Sequence, residues 1–476
     1  MDVSQIKFGT DGWRGIIAGD FTFDNVRACA QGVAAYELEQ GDRERPLVVG
    51  YDTRFASEEF AAATAEVLTG NGLRVLLCSQ ATPTPVLSYT IADRQARGGV
   101  IITASHNPAA WNGFKVRTSY GGSPSVEILS AIEAHIGRVS TTADVRSLPL
   151  SEARARGLIQ DVDPVEPYLE HLGSLVDLKS LAGQGFHVVV DAMHGAGAGY
   201  LSRLLGGVSG GTEEIRSDRN PAFPDMHNPE PVEHNLAPLA EAVSRFGADV
   251  GLALDGDADR LGVMDQQGRF VTQLQVYALL VYYMLEVRGL RGLVVKSITT
   301  SSMLWRLGER YGVPVRETAV GFKYIAPLMT EEDALVGGEE SGGYAFRGHL
   351  PERDGILSGL FILDLMARTG KRIPELLEEL YRLVGPHHYA RLDIPFEAKD
   401  QPRVLERVAQ AEPRMLGGLE VVGRDTVDGF RFHLQGGGWS IIRFSGTEPL
   451  LRIYAEAESP ERVQEVLSDA RTLAGV

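Results

Sequence analysis

Cysteine is almost missing from this chain of 476 residues: there are two, Cys29 and Cys78, both inside apolar-patterned segments. That excludes a disulfide framework, and buried reduced thiols are expected instead. Long apolar runs are missing too. The best, around Ala278 to Leu285, falls far short of the roughly 18 to 20 residues that span a bilayer, so no membrane role is expected. Met1 to Gly9 has no basic stretch followed by an apolar one, so no secretory signal is expected and the location read from the sequence is cytoplasmic. Positive charge is the scarcer sign, 46 Lys+Arg against 63 Asp+Glu for a net charge of −17. With no Lys/Arg-rich stretch to offset it, general nucleic-acid binding is not expected, while a local cationic pocket for a small anion stays open. What is present, 44% hydrophobic, 23% charged and 8% aromatic residues, is the composition of a soluble globular protein and excludes disorder or fibre. At roughly 150 residues per domain, the length suggests three domains or four.

Three segments repeat one grammar: an apolar β-branched strand, a small or polar loop, then a helix. They are Leu47 to Tyr51 with a helix from Ser57 to Leu68 and a second strand Leu73 to Leu77; His187 to Val190 with a helix opening at Tyr200 to Leu205; and Leu293 to Lys296 with a helix to Tyr311 and a strand Val313 to Arg316. This alternation predicts layered α/β domains. The last part differs: Gly429 to Leu434, Ser440 to Phe444 and Leu450 to Ala457 read as strands, followed by a helix with Ser459 as N-cap and Pro460 in its first turn. A smaller α+β domain is expected there. Joints are expected near 150 to 165, near 260 and near 384 to 390, where His387 and His388 read as solvated linker.

Five motifs carry chemistry. Asp255-Gly256-Asp257-Ala258-Asp259-Arg260 follows the apolar strand Val250 to Leu254; alternate carboxylates converge on one side of an extended segment, and three hard oxygens suit Mg²⁺, Mn²⁺ or Ca²⁺. A calcium-hand loop is excluded, since Arg260 and Gln266 stand where it needs glycine and glutamate. Thr103-Ala104-Ser105-His106-Asn107-Pro108, after the strand Gly99 to Ile102, presents a serine on a sharp turn; a plain capped turn is the alternative. Arg443-Phe444-Ser445-Gly446-Thr447-Glu448-Pro449 offers a guanidinium, hydroxyls and backbone N–H groups to a phosphate, or is simply a β-turn. Gly338-Glu339-Glu340-Ser341-Gly342-Gly343 suits sugar hydroxyls or is an acidic turn, and Phe8 to Gly15 brackets Arg14 with glycines. Gly195 to Gly199 lacks the third glycine of a dinucleotide fingerprint, Tyr200 standing there, so packing is its expected role.

Together and in this order, these motifs resemble those of the α-D-phosphohexomutases, the phosphoglucomutase and phosphomannomutase family. The resemblance implies an α/β chain of four domains around a central cleft: three related α/β/α mixed-sheet domains at 1–155, 156–260 and 261–384, then an α+β domain at 385–476. It implies that Ser105 carries a phosphoryl group, that Ser105, Asp255, Asp257 and Asp259 hold one Mg²⁺, and that Arg14, Lys115 and Arg260 assist. Arg443, Ser445, Gly446 and Thr447 would hold the phosphate that is not reacting, Glu339 and Ser341 the sugar hydroxyls, and Lys323 and Arg353 would add cations. His106 and Lys115 are both candidates for the general base. One departure stands out: some dual-specificity members close the sugar loop with histidine, where this chain has Gly343.

The expected activity is a phosphohexomutase interconverting glucose 1-phosphate and glucose 6-phosphate, with glucose 1,6-bisphosphate as activator and hexose phosphates as the only partners of a monomer or homodimer. A mannose or dual-specificity mutase is the alternative, then a glucosamine-phosphate mutase, a sugar phosphatase or a silent sugar-phosphate sensor.

Overall fold

The computed structural model describes residues 3, 6–9, 11–42, 44–206, 210–445 and 450–476. They form two compact units, one of residues 1–271 and 341–373, the other of residues 272–340 and 374–476.

The first unit holds two sheets. One runs Gly12–Ile16, Trp111–Thr118, Gly98–Ile102, Leu47–Tyr51, Val75–Cys78, Ile159–Val162. Its last four strands are parallel, while Trp111–Thr118 is antiparallel to both neighbours. Leu47–Tyr51 and Gly98–Ile102 are buried at every position, which is why they read as continuous apolar runs rather than alternating ones. This sheet extends to Val162, beyond the expected domain limit at 155, because Ile159 and Val162 face the core and pair with the strand at 75–78. The second sheet runs Phe270–Val271, Leu261–Asp265, Val250–Leu254, His187–Asp191, Gly211–Ile215, again mixed. It continues past 260 because the aspartate motif turns the chain back onto itself, Leu261 pairing with Leu254.

In the second unit Val315–Thr318, Val294–Ser297 and Val336–Gly338 are parallel. The first of these lies two residues later than the expected Val313 to Arg316. A six-stranded antiparallel sheet follows, in the order His388–Pro395, Leu450–Ala457, Trp439–Phe444, Phe430–Leu434, Leu419–Asp425, Met415–Leu416. It is covered by the helices Gln401–Gln410 and Pro460–Ala474. Ser459 caps the latter, its hydroxyl accepting from the Arg462 N–H.

The joint at 384–390 is not solvated linker. His387 is buried, its Nδ1 lies 3.0 Å from the Gly385 carbonyl, and its own carbonyl accepts from the Tyr381 hydroxyl at 3.1 Å. Gln275 donates to that same hydroxyl. Leu274, Ile298, Trp439, Ile441 and Tyr454 form one apolar cluster, tying the parallel strands to the last sheet within this unit. The apolar segment around 278–285 is buried throughout, in the helix Gln273–Tyr282 and the π turn that continues it. Among the described residues no helix is long and apolar enough to cross a membrane. Cys29 and Cys78 are free and buried, and burial pushes both thiols up, Cys78 to about 12.

Candidate active site

The serine loop begins where the strand Gly98–Ile102 ends, and the aspartate loop where Val250–Leu254 ends. Both strands are parallel members of their sheets, and a polar loop at the carboxyl end of such a strand is where open α/β sheets place their ligands. The two loops touch. Ser105 Oγ donates to Asp255 Oδ2 at 3.0 Å. A Cβ on Gly256 would sit 2.5 Å from the Ser105 carbonyl oxygen, so only glycine permits this approach. Ser105 has φ of 52°, the left-handed region, and its N–H is held by Thr103 Oγ1 at 2.9 Å.

Asp255, Asp257 and Asp259 are fully buried, and one carboxylate oxygen from each lies within 4.8 Å of the others. Asp257 Oδ2 accepts from Thr84 Oγ1 at 2.7 Å and Lys115 Nζ at 3.1 Å. Its Oδ1 has no hydrogen-bond donor among the described residues. The Asp259 oxygens lie 2.7 Å from Arg353 Nη2 and 3.7 Å from Arg260 Nε, neither of them as a well-aligned hydrogen bond. Burial and the neighbouring Asp259 and Asp257 hold the Asp255 carboxyl well above its ordinary range. Burial would raise Asp257 too, but Lys115, Thr84 and Ser105 reverse the direction and keep it ionised. Buried carboxylates this close, with oxygens of Asp257 and Asp259 that no aligned hydrogen bond reaches among the described residues, fit a divalent hard cation.

Around them stands a cationic set. Arg14 Nη1 donates to Asn107 Oδ1 at 2.6 Å. Lys115 also lies 3.5 Å from Asp11 Oδ2, and burial's upward push on Asp11 is overcome by Lys115, Arg117, Arg14 and Arg353, leaving its carboxyl well below the usual range. Arg260 Nη1 binds Glu230 at 2.9 Å, and Arg117 reaches Glu352 at 3.2 Å. His106 is held through its backbone, its carbonyl accepting from Asn228 Nδ2 at 2.9 Å. Gly343 is buried, and a Cβ there would fall 2.3 Å from Arg353 Cδ. The arginine fills the space that a side chain at 343 would need. Gly195 to Gly199 packs against the aspartate loop, Ala196 N–H donating to the Gly256 carbonyl at 2.9 Å.

The remaining expected residues lie in the second unit. Glu339 is buried and accepts from the Gly321 N–H at 2.9 Å, beside Lys323 in the first turn of the helix Phe322–Glu331. Arg443 Nε donates to Asp428 Oδ1 at 2.9 Å, while Asp428 Oδ2 accepts from the Val320 N–H at 3.0 Å. Ser445 N–H donates to the Leu450 carbonyl at 2.8 Å. Gly446 and Thr447 lie outside the described residues. Ser341 falls within the sequence of the first unit and is half-buried.

Sequence reasoning missed Asp11, Asp52, Arg54, Thr84, Asn228, Glu230 and Glu352. The only signal was that polar residues directly follow parallel strands or sit between prolines, as Glu230 does in Pro229-Glu230-Pro231.

This combination, a serine meeting a buried carboxylate triad under a ring of arginine and lysine, is equipped to handle phosphoryl groups. The comparisons with known proteins say the same. Sequence patterns of the phosphoglucomutase/phosphomannomutase family match along the chain: alpha/beta/alpha domain I at residues 5–143, domain II at 166–268, domain III at 273–384 and the C-terminal domain at 394–473. A phosphoglucomutase/phosphomannomutase of Thermococcus kodakarensis is 33% identical over 97% of this chain and 96% of its own. A phosphoglucosamine mutase of Salinispora arenicola is 32% identical over 96% of both. The crystal structure of a putative phosphomannomutase from Thermus thermophilus superposes with a TM-score of 0.87 at 37% identity, covering 99% of each chain. The chain belongs to the α-D-phosphohexomutase family. It has that family's three α/β/α domains and C-terminal domain, and it is an intramolecular phosphotransferase acting as an isomerase.

Proposed function

We propose that this enzyme is a Mg²⁺-dependent phosphoglucomutase, interconverting glucose 1-phosphate and glucose 6-phosphate, with mannose phosphates as a side activity. The observation that carries the reading is Ser105 Oγ held 3.0 Å from Asp255, beside oxygens of Asp257 and Asp259 that receive no aligned hydrogen bond among the described residues.

Ser105 is the phosphoryl carrier. Its phosphate passes to the free hydroxyl of a hexose monophosphate: the bond from phosphorus to Ser105 Oγ breaks, a bond to the sugar oxygen forms, and the hydroxyl proton leaves to a protein base. The bisphosphate then turns over, and its other phosphate returns to Ser105, so that phosphate is conserved and glucose 1,6-bisphosphate serves as activator. Asp255, Asp257 and Asp259 with Ser105 would hold Mg²⁺, which when bound offsets negative charge at the phosphoryl group. Lys115 and His106 are the two candidate proton acceptors, and Lys115 Nζ, 3.1 Å from Asp257, would take the proton in its neutral amine form. Arg14, Arg260 and Arg353 neutralise the phosphoryl oxygens. Glu339 and Ser341 receive the sugar hydroxyls, Lys323 adds a cation, and Arg443, Ser445, Gly446 and Thr447 hold the idle phosphate.

Preference for glucose rests on the Glu-Glu-Ser form of the sugar loop and on Arg353 lying where a loop-closing histidine would stand. The relatives named phosphoglucosamine mutase support a second reading, with glucosamine phosphate as substrate. Measuring kcat/KM for glucose, mannose and glucosamine 1-phosphates with Mg²⁺ and catalytic bisphosphate decides between them. A preference for glucosamine would overturn the first reading, and free phosphate released at the turnover rate would replace the mutase with a phosphatase.

A further inference from the structure

Beneath the serine loop lies a charge that the chemistry above does not use. Arg54 is wholly buried. Its Nη2 donates to the carbonyls of Ser105 at 2.6 Å and Asn107 at 2.5 Å, and its Nη1 to those of Pro108 at 2.9 Å and Trp111 at 3.0 Å. Its Nε faces Asp52 Oδ2 at 3.2 Å, and its guanidinium carbon lies 5.0 Å from the centre of the Phe223 ring. Asp52 is itself oriented, its Oδ1 accepting from the Arg54 N–H at 2.9 Å and Ser57 Oγ at 2.8 Å. Asn112 Nδ2 in turn donates to Ser57 Oγ at 2.9 Å.

A buried guanidinium is costly unless its donors are met. Here four main-chain carbonyls, three in the serine loop and that of Trp111 at the start of the next strand, meet the Nη donors, and the Asp52 carboxylate lies beside Nε as an ion pair. Arginine alone offers donors in a rigid planar fork, so the four carbonyls must converge on that plane. The serine loop carries Ser105 in a left-handed backbone conformation, disfavoured for a residue with a Cβ, and needs an outside constraint to keep it.

We infer that Arg54 is the positioning residue of phosphoryl transfer: it grips the serine loop from behind and holds Ser105 Oγ in line with Asp255. The inference rests on Ser105 being the phosphoryl carrier. Arg54 touches no substrate, so its loss acts on the chemical step and leaves hexose-phosphate binding alone.

The test is Arg54→Lys, which keeps the charge and loses the planar fork. Quenched samples analysed by intact mass follow phosphorylation of Ser105 by glucose 1,6-bisphosphate, alongside kcat and KM for glucose 1-phosphate. A misplaced nucleophile costs roughly 100-fold, so phosphorylation and kcat should fall together by about that factor, with KM within about twofold. The wild-type protein is measured first. If its Ser105 takes no phosphate, the carrier reading fails and this inference with it. If it does, and Arg54→Lys is phosphorylated as fast, the positioning role alone is overturned, as it is by an equal rise in KM. Should Arg54→Lys fail to fold, Phe223→Leu decides, since it keeps every donor and removes only the ring under the guanidinium. A fall in kcat of about threefold at unchanged KM is expected, and an unchanged kcat overturns the proposal.

Discussion

The two units hold the cations expected to meet phosphate in different ways. In the first, the side chains of Arg54, Arg117, Lys115, Asp255, Asp257 and Asp259 are all at most 1% exposed, and they pair with neighbouring charges or the main chain. In the second, Lys323, Arg443 and Ser445 are half-buried. Their neighbours there are a ring at 5.2 Å from Lys323, one carboxylate for Arg443 and a main-chain carbonyl for Ser445. Buried, mutually paired charges cannot move without stranding a partner, which suits atoms that must meet a transferring phosphoryl group without reorganising. Half-exposed cations can adjust, which suits recognition of a bisphosphate in two orientations.

The comparison can be broken where it is strongest. Ser105→Ala, with bisphosphate supplied, should lose roughly 10³-fold or more in kcat; retained activity would remove the first unit from the chemistry. Asp257→Asn should cost about 100-fold in kcat and weaken the Mg²⁺ requirement, seen as a rightward shift of the activation curve, because Lys115 and Thr84 lose their charged acceptor. Gly343→His sharpens the contrast by placing a side chain where Arg353 Cδ lies 2.3 Å away. Displacing that arginine from Asp259 should lower kcat about tenfold without raising the share of activity on mannose 1-phosphate. In the second unit, Glu339→Gln should instead raise KM by about tenfold with kcat little changed, since a hydrogen bond to a charged group is lost in ground and transition states alike.

The smallest effect concerns stability. Glu317 binds Lys296 Nζ and Arg431 Nη2, each at 2.6 Å. Burial would raise its carboxyl, but Arg431 and Lys296 bring it below the ordinary glutamate value. A lowered folded-state value means stability that is present above the unfolded glutamate range and lost as pH falls through the folded one. Glu317→Gln should therefore melt lower than the parent at neutral pH, with the gap closing in acid, when followed by circular dichroism.

Much of the frame was legible in the chain. Leu47–Tyr51, Val250–Leu254, Leu450–Ala457 and the helix opening at Tyr200 stand where apolar β-branched runs and helical spacing put them. The reason is that burial on both faces writes itself into consecutive residues. The serine and aspartate loops were legible because small residues and alternate carboxylates are unusual at strand ends. The helix at Gln401–Gln410 was not, for half of it is polar or charged and only Val404 and Val408 are buried. Nor were the packed joint at His387 and the fork of Arg54, since nothing local distinguishes a charged residue that ends in the core from one in water.

By itself, then, the sequence determined which segments become strands, which loops carry the serine and the carboxylates, and the family to which the chain belongs. Only tertiary structure decided what each charge is paired with. Ser105 meets Asp255 across 150 residues, Thr84 meets Asp257 across 173, and Arg54 meets its carbonyls across more than 50. Secondary structure is local and leaves its period in the chain, whereas such pairings exist only once sheets bring distant loops together and the cost of burying each charge selects its partner.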